Sequence, residues 1–374
     1  MTADALANRL RLFARRRRAE AARARAMARP FTAGAAERLL LVTQPERIPQ
    51  SQVYPFHHYA RDLWRLYGAE VREADTWAVL AGEVPAASGA TVVAFQTPFD
   101  IADGDLQRLV GRLRALNPGA RIACLDWFAP TDLRNAARMD PLVDLYVKKH
   151  LLRDRAAYGR PTRGDTNLTD FYDRRYGIDE PERLFRVPPG FWDKLVLGPS
   201  FATAPNILPA LLGRMPDGKR PIDLHGRFAV GGTPWYAGMR GEAEAALERL
   251  AGLLVVRGEG VPLPRFMVEM SRSKLGFSPF GYGEVCWRDY ESVMAGAVLV
   301  KPDMSHIETA PDIFRPWETY VPVAWDLSDF EEVVRRVCAD TAMRQRIART
   351  AFGVLHDWLR SDAFARAMAP LFRR

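Results

Sequence analysis

The chain has 374 residues, 48% hydrophobic and 26% charged, the composition of a soluble globular protein long enough for two ordinary domains. No apolar run reaches the roughly 18 residues that a membrane-spanning helix needs, and no charged start precedes an apolar block, so neither a span nor a secretory signal is expected and a cytoplasmic location is the default. The three cysteines, Cys124, Cys286 and Cys338, lie far apart without a CxxC pair, which speaks against a disulfide framework or a thiolate zinc site.

The formal net charge of +8 is unevenly spread. Ten arginines and only three carboxylates fall within residues 1–38, so the rest is close to neutral and does not read as a general binder of polyanions such as nucleic acid. Leu6, Leu10 and Phe13 share one helical face beside the arginines of residues 6–29. That pattern suits a helix lying peripherally on an anionic membrane surface, and equally a solvated helix that only keeps the protein soluble.

Strands and helices then alternate. RLLLVTQP from Arg38 is a short apolar run closed by turn residues, followed by the helical pattern HHYARDLWRLYG and the strand AEVREAD. TVVAFQTPFD, RIACLDWFAP and DLYVKKH repeat the theme, with the helix DLQRLVGRLRALNPG among them. Apolar strands of about five residues between helices predict a parallel sheet covered on both faces. Ligands collect at the carboxyl ends of such strands, where Gln44, Gln96, Asp100 and Asp126 stand, each equally suited to a cap or turn. From Leu151 to Arg220 prolines, glycines and the polar piece YGRPTRGDTNLTDFYDRRYG predict an irregular connection or lid. Alternation resumes with IDLHGRFAVGG, GEAEAALERLAG, LLVVRG, PRFMVEMSRSKLGFSP, AVLVKPD and ETYVPVAWD, and the chain is helical from Asp329 onward. Two α/β units in tandem, with a cleft between them, follow.

The second unit holds GYGEVCWRDYESVMAGAVLVKPD, Gly281 to Asp303. Gly281 and Gly283 around Tyr282 allow close backbone approach to a phosphate, and a helix starting near Glu284 or Val285 aims its positive amino end there. Arg288 and Glu291, three apart, share a face, the first suited to a diphosphate and the second to the paired hydroxyls of a ribose. The plainer alternative is a surface Arg–Glu pair. Ala295, Gly296 and Ala297 let the helix end tightly before the strand Val298 to Val300.

This order of glycines, Arg, Glu, small-residue helix end and apolar strand resembles the donor site of GT-B glycosyltransferases, most closely its exostosin-like and CAP10-like versions. The resemblance implies two tandem Rossmann-like domains and a final helix crossing back to the first. After a basic helical segment 1–38, an acceptor domain would span 39–200, irregular from 151, a donor-nucleotide domain 215–350, and the closing helix 351–374. It further implies a nucleotide-sugar donor, a glycan or lipid-linked acceptor, Arg288 on the diphosphate, Glu291 on the ribose and Arg227 near the phosphates. Many retaining members separate two glutamates by seven residues, whereas Glu284 and Glu291 enclose six. Both stereochemical outcomes stay open.

No Asp-x-Asp pattern is found in the body of the chain, so a metal-free reaction is expected, with Arg227, Lys274, Arg288 and Lys301 countering the diphosphate and no cofactor. A base near the acceptor is expected on the first domain, where His57 and His58 follow the first strand; His58 is the choice, with Asp126 and Asp100 in reserve. His306 in KPDMSHIET follows the donor-side strand and would reach the sugar or its phosphate, unless it is only a turn residue. Two other classes remain open, a nucleotide-sugar binding protein without turnover and a membrane-surface module driven by the arginine-rich start.

Overall fold

The computed structural model describes residues 14, 17, 20, 21, 23–258 and 260–372. Leu6, Leu10 and Phe13, and with them the expected membrane-facing stripe, lie outside the described residues. Residues 23–28 are helical. Arg23 from this helix donates to buried Glu73 at 2.9 Å, a carboxylate that also faces His57 Nε2 at 2.7 Å. Among the described residues no helix is long and apolar enough to cross a membrane.

The first domain is built on β1 (Glu37–Thr43), β2 (Ala69–Asp75), β3 (Val92–Phe95), β4 (Arg121–Asp126), β5 (Leu145–Lys148) and β6 (Leu195–Leu197), all parallel, in the order β2-β1-β3-β4-β5-β6. Alternate residues feed opposite faces: Leu39, Leu41, Val92 and Val147 pack on one side, Leu40, Val42, Val93 and Tyr146 on the other. Both faces are therefore apolar, which is why these strands read as continuous hydrophobic runs. The second domain carries β7 (Ile222–Gly226), β8 (Val255–Arg257), β9 (Ser273–Phe277), β10 (Val298–Pro302) and β11 (Val321–Val323), parallel, in the order β8-β7-β9-β10-β11.

The segment after 151 is more ordered than its composition predicts. Thr166 caps the helix Asn167–Tyr176 by accepting from Thr169 N–H, and Gly177, at φ 63°, ends it. This helix docks on Pro234–Glu248 of the second domain, where Tyr176 donates to Glu242 at 2.6 Å and Arg175 pairs with the same carboxylate. The chain then returns to add β6 to the first sheet. The domains are further joined by an antiparallel pairing of His150–Leu152 with Ile307–Thr309.

The closing helix runs from Thr341 to Arg360, beginning earlier than expected, and is followed by the short helices Ala363–Ala367 and Ala369–Phe372. These cross back onto the first domain. Tyr59 donates to the Leu359 carbonyl at 2.6 Å, Tyr67 to that of Ala365 at 3.1 Å, and Arg121 to that of Pro370 at 2.7 Å. Phe364 is fully buried, edge-on to Phe56 at 5.1 Å and stacked on Tyr59 at 5.2 Å. Phe364→Ala removes that anchor and leaves a cavity, so urea denaturation is expected to show a loss of about 3–5 kcal/mol, with proteolysis beginning after residue 358.

Candidate active site

The helix that carries the donor pattern begins at Trp287, two to three residues later than predicted. Cys286, at φ −117°, takes the cap position, and its N–H donates to Asp289 Oδ2 at 2.8 Å. The other oxygen of Asp289 accepts from Ser278 Oγ at 2.6 Å and faces Lys301 Nζ at 3.0 Å. Asp289 and Lys301 are both buried. Lys301, expected to reach the diphosphate, is thus placed beneath the loop, where it neutralises Asp289.

That loop meets the first domain. A Cβ on Gly283 would lie 1.8 Å from the Ala129 carbonyl oxygen, so only glycine lets the two domains touch there. Tyr282 stacks on Tyr236 at 4.5 Å and accepts the Thr233 N–H at 3.2 Å.

A cleft of ≈ 600 Å³ opens beside it, between the carboxyl ends of β1, β4 and β5 and the second domain. Arg47, Trp127 and Lys149 line it from one side, Arg240, Phe266, Arg288 and Glu291 from the other. Lys149 is fully buried, its ammonium 4.4 Å over the Phe201 ring with no hydrogen-bond partner. Arg240 is 4% exposed, 4.9 Å over Tyr236 and 5.3 Å over Phe228, and its Nε is likewise unpartnered. Arg288 lies 5.8 Å from the Phe228 ring, also with an unpartnered Nε. Among the described residues none of the three has a carboxylate within ion-pair distance.

Burial, reinforced by neighbouring Lys148 and opposed by Asp126 and Cys286, pushes the Lys149 ammonium down to about 7. Burial, then the like charge of Arg288, lowers Arg240. Burial raises the Glu291 carboxyl against the pull of Arg288 and of Arg47, whose guanidinium stands 3.7 Å away and 4.4 Å over Trp287. The cleft thus gathers Lys149, Arg240 and Arg288 without carboxylate partners among the described residues, with Glu291 paired only to Arg47, beside flat aromatic side chains.

Glu284 points the other way, into the domain interface, fully buried, accepting from Thr131 Oγ1 and lying 3.7 Å from His306 Nε2. Burial pushes its carboxyl up, but His306, His150 and the Thr131 hydroxyl outweigh it and hold it at about 2. Burial and adjacent Lys149 keep His150 well below the usual imidazole value.

The remaining expected residues stand outside the cleft. Arg227 is held by Glu269 at 2.6 Å and by the Arg257 carbonyl at 2.8 Å. Lys274 pairs with Asp223 at 2.6 Å beside a hollow shared with Arg220 and Arg344. Asp126 is buried against Lys148 Nζ and Tyr146 Oη, both at 2.7 Å. His58 packs its ring on Tyr59 at 4.7 Å in a hollow at the returning C-terminus, and Asp100 is exposed. Gln96 braces the loop after β1, accepting from Gln44 N–H at 3.2 Å and donating to the Pro49 carbonyl at 2.9 Å. Reasoning from sequence missed Lys149 and Arg240; the signals were a lysine directly after a strand end and a Tyr236–Arg240 pair four apart on one helix.

No family model matches the chain, and no curated protein does. Solved structures do. An alpha-glucosyltransferase in complex with UDP superposes with a TM-score of 0.50 at 9% identity, over 90% of this chain and 99% of that one. The structure of an alpha-glucosyltransferase with UDP-glucose and DNA containing an abasic site gives 0.49 at 8% identity, over 90% and 100%. TarM gives 0.46 at 10% identity, over 76% of this chain and 55% of its own. The fold is GT-B, two tandem Rossmann-like domains with a central cleft.

Two stability measurements probe the charges. Lys301→Met leaves Asp289 buried without its counter-ion and is expected to cost about 3–5 kcal/mol, while adding Asp289→Asn recovers part of it. For Lys149 the unfolded chain binds the proton up to about 10.5 and the folded chain only to about 7. The buried ammonium therefore costs stability in full below pH 7, a cost that fades as pH rises toward 10.5. Lys149→Met is expected to exceed the native protein by at least about 1.4 kcal/mol at pH 6, with the gap narrowing in alkaline denaturation series.

Proposed function

We propose that the chain is a glycosyltransferase that moves a sugar from a nucleotide-sugar donor to a glycan or lipid-linked acceptor without a metal ion. The observation that carries this reading is the convergence of Lys149, Arg240 and Arg288, three cations without carboxylate partners, on one interdomain cleft. A diphosphate supplies the anion they lack, and the amino end of the helix Trp287–Met294 adds to the field. Glu291, 3.7 Å from Arg47 and within the field of Arg288, would accept from the ribose hydroxyls. Val261, Leu263 and Phe266 offer an apolar wall for the base. The neighbour described in complex with UDP supports the same donor class.

In the transfer, the bond between the sugar's anomeric carbon and the β-phosphate oxygen breaks with its electron pair leaving on the nucleoside diphosphate. The acceptor oxygen forms the new bond, and its proton passes to an oxygen of the departing diphosphate. Charge that grows on the departing diphosphate would meet Arg240, Arg288 and the Lys149 ammonium, which would counter it in place of a metal ion. Arg227, Lys274 and Lys301, all committed to carboxylates, take no part in this scheme.

Thermal-shift titration with UDP, GDP, ADP, CMP and dTDP tests the reading. One nucleotide class is expected to stabilise the native protein, with Arg240→Ala, Arg288→Ala and Glu291→Ala each weakening it roughly ten- to hundredfold, the worth of one charge-assisted hydrogen bond. Stabilisation that survives all three substitutions would place the nucleotide elsewhere. Because a bound diphosphate favours the protonated ammonium of Lys149, affinity is expected to fall between pH 7 and 9 in the native protein and to stay flat in Lys149→Met. Turnover with the matching nucleotide-sugar separates a transferase from a binding protein.

A further inference from the structure

The order of strands gives the bound donor a direction. Val261 and Leu263 follow β8, Arg288 follows β9, His306 follows β10 and Trp325 follows β11, while the sheet runs β8-β7-β9-β10-β11. With the base against Val261 and Phe266 and the diphosphate at Arg288, the sugar is left facing the ends of β10 and β11. A second cavity, of ≈ 510 Å³, opens there. His306 lines it and lies 3.7 Å from Glu284, the interface carboxylate that accepts from Thr131 Oγ1. The cavity wall includes Tyr158 and Phe185 from the segment after 152 and Trp325 from the second domain.

The lining of this cavity is opposite in character to that of the donor cleft. Asp132, Asp165, Asp170 and Asp303 face it, against only Arg160 and Arg183. The carboxylates are already satisfied: Asp132 accepts from Arg134 at 2.7 Å, Asp165 faces Arg183 at 3.3 Å, Asp170 accepts from Arg174 at 2.9 Å, and Asp303 accepts from Tyr320 Oη at 3.1 Å. No unpartnered cation waits for an anion, and a phosphate brought in would meet carboxylates on several sides. Hydroxyl groups, by contrast, donate to the free lone pairs of such carboxylates, and the flat faces of Trp325 and Phe185 suit the C–H face of a sugar ring.

We propose that this cavity binds the acceptor and that the acceptor is the unphosphorylated, hydroxyl-rich end of a glycan. The inference rests on the glycosyl-transfer reading of the adjoining cleft and narrows it, setting aside acceptors recognised through phosphate groups.

Saturation-transfer NMR on protein loaded with the stabilising nucleoside diphosphate tests it. The probes are neutral gluco-, galacto- and manno-oligosaccharides and the same sugars bearing a terminal 6-phosphate. At least one neutral oligosaccharide is expected to bind more tightly than its phosphorylated counterpart. Phe185→Ala is expected to weaken it fivefold or more, and Asp165→Lys to narrow or reverse the preference, with nucleotide affinity unchanged within twofold in both variants. Phosphorylated sugars binding as well as neutral ones in the native protein would overturn the proposal, as would neutral binding that neither substitution moves. If the native protein binds nucleotide but none of the oligosaccharides, this proposal alone falls. If it binds no nucleotide, the donor reading falls with it.

Discussion

The geometry of the interdomain cleft depends on one buried carboxylate. Asp289 caps its own helix through Cys286 N–H, ties down Ser278 at the end of β9, and is neutralised by Lys301 from β10. Two charges removed from water are an expensive way to gain stability, and a pair of apolar residues of the same volume often does as well. What an apolar pair cannot supply is three directional bonds at one point. Those bonds fix where the loop from Pro279 to Val285 leaves the sheet, and so where Gly283 meets Ala129 and where Arg288 and Glu291 face.

With the loop fixed, the domains meet backbone to backbone. The contact at Gly283 leaves no room for a side chain, and the pairing of His150–Leu152 with Ile307–Thr309 sews the same seam with main-chain hydrogen bonds. Lys149 immediately precedes that pairing, so the strand that joins the domains also holds its ammonium in the cleft. Buried without a carboxylate partner among the described residues, the charges of Lys149 and Arg240 cost stability. Elsewhere the charges near the cleft are closed into pairs, among them Arg227 with Glu269 and Lys148 with Asp126.

The strands were legible because a parallel sheet buried on both faces demands uninterrupted apolar runs, and AEVREAD, with its charged residues, was still marked by the turn residues around it. Arg288 and Glu291 were legible because three-residue spacing on a helix puts two side chains on one face. Lys301 was misplaced because its partner, Asp289, is brought to it only by β9 and β10 lying side by side. Lys274 and Arg227 failed for the same reason, with carboxylates 51 and 42 residues away. The segment after 151 hid its order behind prolines and glycines, since β6 is only three residues long and the helix Asn167–Tyr176 is stabilised mainly by docking on the other domain.

The spacing of the two glutamates acquires a structural meaning from this loop. Cys286 takes the cap, so the helix starts at Trp287, and Glu291 falls on its second turn facing the cleft. Glu284 lies before the cap, in the bend beside Gly283, which is pressed on Ala129. It is therefore carried into the domain interface, where Thr131 and His306 receive it, and not into the diphosphate side of the cleft. One glutamate thus lines the cleft and the other is buried in the domain interface. The Glu284 carboxyl is kept ionised by His306 and His150 despite complete burial.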